Sequence, residues 1–71
     1  MKLEINTNGA WRTVLRGLTS ADLPHVQGAA VALCDVAYCR DRQRIKFRLT
    51  GENGEVLLHI DSTDCVWVDG L

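Results

Sequence analysis

Apolar and polar residues alternate along two parts of this chain, and a slower period separates them. From Lys2 to Asn6, Leu3 and Ile5 fall on one side and Lys2, Glu4 and Asn6 on the other, which predicts a half-buried strand. Asn8-Gly9 follows, and an Asn-Gly pair between alternating runs signals a hairpin. Trp11, Thr13 and Leu15 then alternate with Arg12, Val14 and Arg16. A three-residue loop with Gly9 left-handed pairs Ile5 with Trp11 and sets Glu4 opposite Arg12. It gathers Leu3, Ile5, Trp11, Thr13 and Leu15 on one face. A two-residue loop pairs Ile5 with Arg12 and sends Trp11 to the other face. A one-residue slip turns every side chain over, so the first register, which unites the apolar residues, is the expected one.

The period changes after Gly17. Thr19, Ser20 or Asp22 can cap a helix, with Pro24 in a first turn that has no use for its missing N–H. Leu23, Val26, Ala30, Leu33 and Ala37 recur at steps of three and four, widened by Ala29, Cys34 and Val36. His25, Gly28, Ala32 and Asp35 fall opposite. This predicts an amphipathic helix over about 20–39.

Strict alternation returns at Arg42. Ile45, Phe47 and Leu49 point one way, while Arg44, Lys46, Arg48 and Thr50 point the other. Asn53-Gly54 predicts a second hairpin, with Leu49 opposite Leu58 and Phe47 opposite Ile60 inside. Outside, Thr50 meets Leu57, Arg48 meets His59 and Lys46 meets Asp61. Ser62-Thr63-Asp64 turns the chain into a last strand, Cys65 to Asp69. A three-residue loop there puts Val66 and Val68 inside and Trp67 outside, beside His59. A two-residue loop puts Trp67 in the core opposite Ile60. Two inward valines favour the first.

The order β-β-α-β-β-β predicts one α+β domain over residues 1–71, an antiparallel sheet with a single helix packed on one face. Phe47, Ile45, Leu49, Leu58, Ile60, Val26, Leu33 and Leu3 are the expected core. The short strand at 65–69 or that at 2–6 is expected at a sheet edge, where a second copy of the chain can add.

Composition narrows the class. At 71 residues, 46% hydrophobic and 24% charged, the chain reads as one small globular domain. The longest apolar-rich run, Gly28 to Leu33, is too short to cross a bilayer, and Glu4, Asn6 and Asn8 interrupt any signal-peptide pattern. The expectation is a complete cytoplasmic product with no membrane partner. Three cysteines, Cys34, Cys39 and Cys65, are an odd set with no framework spacing, as expected of reduced and mostly buried thiols.

Candidate chemistry is sparse. Cys34 and Cys39 point in different directions on a helix, and His25, His59 and Cys65 have no closely spaced second ligand, so no metal or cofactor is expected. Cys65 and His59 can meet across strands, but no third group orients them. The carboxylates make no acid–base pair. Asp61, Asp64 and Asp69, with Asp35 and Asp41, suggest an acidic side opposite the arginines. Gly51 to Gly54 lacks the Lys and Ser/Thr of a phosphate loop and is a turn. No catalytic set and no room for a pocket of about 300 Å³ are expected, so the chain is read as no enzyme.

One feature invites function. Arg44, Lys46, Arg48, Leu57, His59 and Trp67 are expected together on the sheet face turned away from the helix. Arginine beside an aromatic suits a protein partner. It also suits single-stranded nucleic acid, through phosphates and stacking. Long charged side chains on a wet sheet face account for the pattern equally simply. A net charge of −1 weighs against nucleic acid, so a protein partner is the favoured docking partner.

The order of a helix, an Asn-Gly hairpin and a last strand carrying Trp67, from about Ser20 to Asp69, resembles several small phage and mobile-element proteins. Some anti-CRISPR proteins are among them. The resemblance is one of layout without a diagnostic motif. It implies a compact non-catalytic domain that acts by occupying a partner's surface.

Overall fold

The alternating runs form strands β1 (Lys2–Asn6), β2 (Trp11–Leu15), β3 (Lys46–Thr50) and β4 (Val56–Asp61), followed by a two-residue β5 (Val68–Asp69). The computed structural model describes residues 1–70, with Asp41 through its backbone alone. The five strands make one antiparallel sheet in the order β2-β1-β3-β4-β5. One helix, α1 (Leu23–Asp41), packs on one face after a short 3₁₀ turn at Ser20–Asp22. This is the expected α+β arrangement. The edges are β2 and β5, so the strand at 2–6 is interior and not an edge. No helix among the described residues is long and apolar enough to cross a membrane.

Local signals set the helix ends. The Asp22 carboxylate accepts from the Thr19 N–H at 2.9 Å and from its hydroxyl at 3.1 Å. Those two bonds, the N–H first, hold the Asp22 carboxyl below its ordinary range. At the other end Arg42 takes a left-handed φ of 54°, its N–H bonds the Tyr38 carbonyl, and the Gln43 N–H bonds that of Ala37. The bond from a left-handed Arg42 to Tyr38 is an αL closure made without glycine. Ser62 then ties the connection down. Its buried hydroxyl accepts from the Ile45 N–H at 3.0 Å and donates to the Gln43 carbonyl at 3.2 Å.

The β3–β4 register is the expected one from Lys46–Asp61 to Leu49–Leu58. At the turn, Gly54 adopts φ 81° and Gly51 bonds Glu55, which makes the loop one residue longer than the Asn-Gly signal implied. A bulge at Leu57 absorbs the difference, so Thr50 meets Val56 and not Leu57. Gly70 seats against this bulge, donating its N–H to the Leu57 carbonyl at 3.0 Å, and a Cβ there would collide with the Val56 carbonyl.

Both tryptophans lie on the opposite side from expectation. In the first hairpin Asn6 pairs with Trp11 and Ile5 with Arg12, which turns Trp11 and Thr13 to the open face. The Asn6 carboxamide oxygen accepts the Gly9 N–H at 2.8 Å and builds a wider turn than the three-residue loop. A bulge at Val14 then returns Leu15 to the helix side, opposite Leu3. In the last segment Val68 pairs with His59, so Val68 faces outward and Trp67 turns to the helix. Its indole N–H donates to the Gln27 carbonyl at 3.0 Å while the ring packs on the core. Burying that ring with its polar atom satisfied outweighs burying Val66 and Val68, both of which are left exposed.

The core is Leu3, Val26, Ala30, Cys34, Ile45, Phe47, Leu49 and Ile60, with Leu58 partly buried against it. Leu33 is not in it: Cys34 is fully buried instead and Leu33 is 55% exposed. The contact stripe steps 26, 30, 34 rather than 26, 30, 33, because nearly every residue around this helix is apolar and the pattern gives little contrast. Ile60→Ala should therefore cost about 2–5 kcal/mol in denaturant unfolding, and Leu33→Ala less than about 1 kcal/mol. A Leu33 cost equal to that of Ile60 would contradict this placement. Thr50 is 2% exposed and its hydroxyl has no hydrogen-bond partner among the described residues. Replacing it by the isosteric valine removes an unsatisfied group, so Thr50→Val should raise the melting temperature. A lowered one would mean that the hydroxyl is satisfied.

Candidate functional site

Two cross-strand rows build the open face. Thr13, Glu4, Arg48, His59 and Val68 align across all five strands, and Trp11, Asn6, Lys46 and Asp61 make the next row across four. Arg48 is the junction. Its Nε donates to Glu4 Oε1 at 2.7 Å, and its guanidinium carbon lies 4.0 Å from the centre of the Trp11 ring. Both members of the ion pair are largely covered. The bond is therefore charge-assisted and less screened than a surface pair.

Lys46 Nζ approaches Asp61 Oδ2 at 3.9 Å. The Asp61 carboxyl is held below its ordinary range, first by the Thr63 N–H it accepts from, then by the Thr63 hydroxyl, with Lys46 and Arg44 adding charge. Asp61 and Asp64 are thus interleaved with the cations, whereas Asp69, paired with Leu58, and Asp35, on the helix, lie away from them. Asp61 and Asp64 line the same concavity as Lys46 and Arg48. The side chain of Asp41, expected on an acidic side, lies outside the described residues.

This concavity measures about 340 Å³, with Trp11, Arg48, His59, Val56 and Val68 among its walls. It is an open indentation on the sheet face and not the enclosed pocket that a chain of this length was expected to be too small to form. It forms because β2 and β5 raise Trp11 and Val68 at the two edges of the face. Of the six residues expected on the face, Lys46, Arg48 and His59 line it, and exposed Arg44 precedes β3 close enough to act on Asp61. Leu57 stands in the bulge, with Val56 in its expected pairing position. Trp67 belongs to the helix side. Trp11, Glu4 and Val68 were missed, although the register that pairs Ile5 with Arg12 would have placed Trp11 here.

The thiols lie elsewhere. Burial pushes Cys34 up to about 11. Cys39 donates to Asp35 at 3.4 Å, which is the main reason its thiol is raised. Cys65 is raised chiefly by burial and packs toward the core, while His59 points to the open face, so the two are not brought together. Among the described residues no three His, Cys, Asp or Glu side chains group to hold a metal.

Comparison of the chain with protein-family models, with curated proteins and with solved structures finds no match.

A double-mutant cycle isolates the stack at the junction. Trp11→Ala and Arg48→Ala should show a coupling of about 0.5–1 kcal/mol in unfolding free energy. Strict additivity would mean that the two side chains are merely adjacent.

Proposed function

We propose that this protein is a non-catalytic interaction module that docks another protein on the open face of its sheet. The observation that carries the reading is Trp11, half-buried beneath Arg48 beside an indentation of about 340 Å³. Tryptophan and arginine concentrate binding energy in protein interfaces, most of all beside pockets that can be emptied of water. Arg48 is already held by Glu4 and Trp11, so little side-chain freedom is lost when a partner closes over it. Val56 and Val68 give the indentation apolar flanks. The reading rests on these side chains and not on the layout shared with small phage and mobile-element proteins.

Charge separates protein from nucleic acid. Lys46 and Arg48 are matched within the concavity by Asp61 and Asp64, and both cations already have carboxylate partners. A phosphate would have to displace those partners and approach one further carboxylate, Asp64. Single-stranded nucleic acid keeps one favourable feature, the Arg–Trp stack, on which a base can lie.

Affinity capture from lysate of the source cell, with nuclease in half of each sample, tests the reading. The wild type should retain a defined protein from 50 to 200 mM salt, and Trp11→Ala should lose it. A labelled single-stranded oligonucleotide bound with a log–log salt slope of about −2 to −4 would favour nucleic acid instead. Capture unchanged by Trp11→Ala would leave the face as solvated sheet surface.

A further inference from the structure

One helix is too narrow for this sheet. Five strands at ~4.8 Å spacing put the outer strand axes ~19 Å apart, whereas a helix with its side chains is about 10–12 Å across. Helix α1 packs on the Ile45, Phe47, Leu49 and Ile60 cluster. The helix side of β1 and β2 has less cover: Ile5 is half-buried, and Leu15, opposite Leu3, is 45% exposed. Leu33 and Val36 stand 55% and 51% exposed on the helix. With Ile5, Ala37 and Phe47 they line a second cleft of about 340 Å³ between helix and sheet.

Among the described residues the charge that lines this cleft has one sign. Arg40 lines it, and Arg12, exposed and opposite Ile5, lies on the same side of the sheet. Among the described residues no carboxylate lines the cleft, and neither arginine is in an ion pair.

We propose that the cleft seats an amphipathic helix of another protein, one whose apolar stripe is flanked by Asp or Glu. The width left over, about 7–9 Å, is close to the ~8–10 Å spacing of packed helices, so such a helix would pack beside α1 as the second cover of the sheet. Its apolar stripe would meet Leu33, Val36, Ile5 and Leu15, and its carboxylates would meet Arg12 and Arg40. A second copy of this chain is a poorer occupant, because an isologous contact sets the same arginines against one another. The cleft lies on the opposite face from Trp11 and does not depend on the open-face reading.

Selection from a library of amphipathic helical peptides tests this, with the apolar positions fixed and the flanking positions varied between Glu and Lys. Affinities are then read by fluorescence anisotropy. Enriched peptides should carry Glu, and each of Leu33→Asp and Val36→Asp should weaken them at least about tenfold. Arg40→Glu, at an exposed position that the core does not use, should reduce the Glu preference, while Trp11→Ala should bind as the wild type does. Circular dichroism verifies that each variant is folded. No enrichment, no charge preference, or loss of binding only with Trp11→Ala would overturn the proposal. So would a dimer in sedimentation that Leu33→Asp dissociates, since that assigns the cleft to a second copy.

Discussion

Strand β3 lies between β1 and β4, and its burial requirement fixes the centre of the sheet. Phe47 is 2% exposed, held between Ile5 and Ile60 beneath the helix, and Leu49 is fully enclosed between Leu3 and Leu58. With a side-chain period of two, Lys46 and Arg48 are forced to the other face. A slip of one residue would bury two cations, each at a cost of several kcal/mol without partners. The demand that makes the core therefore also delivers Arg48 to Glu4 and Trp11, and Lys46 to Asp61. Core and open face are two sides of one alternation.

That double constraint explains what the sequence made legible. Along β3 and β4 both faces restrict the register, and the pairing from Lys46–Asp61 to Leu49–Leu58 follows from the pattern alone. Constraint fades toward the edges. On β2 the expected register placed Trp11 inside because apolar residues gather there, but the helix does not cover β2, so the inward side gives an indole little to pack on. Asn6 decided the turn instead, through its side chain on the Gly9 N–H. On the last segment Trp67 reached the helix because the Gln27 carbonyl accepts its N–H, a partner that no count of apolar positions reveals. Leu33 and Cys34 changed places because the helix is apolar on almost every side.

The site was legible in its cations and in Asp61 opposite Lys46, but not in the partners of Arg48. Arg44, Lys46, Arg48 and His59 are placed by alternation, yet Glu4 is 44 residues from Arg48 in sequence. Only the strand order, with β1 inserted beside β3, brings that carboxylate across. An alternating basic strand thus becomes a charge-balanced surface with a tryptophan in it. The distinction matters chemically. Paired cations orient and pack, whereas unpaired ones collect phosphates.

The two faces differ in what a partner would add. On the open face the side chains are already tied to one another, so docking draws on a preorganised surface and leaves the fold as it is. On the helix side the sheet is short of cover, and a domain this small buries only about 60% of the surface its unfolded chain exposes. A helix seated against Leu33, Val36 and Leu15 would remove apolar surface from water that the chain itself leaves wet. Because such a ligand binds the folded form alone, its affinity adds directly to folding stability. Occupation of the cleft would complete the second layer that α1 only half supplies.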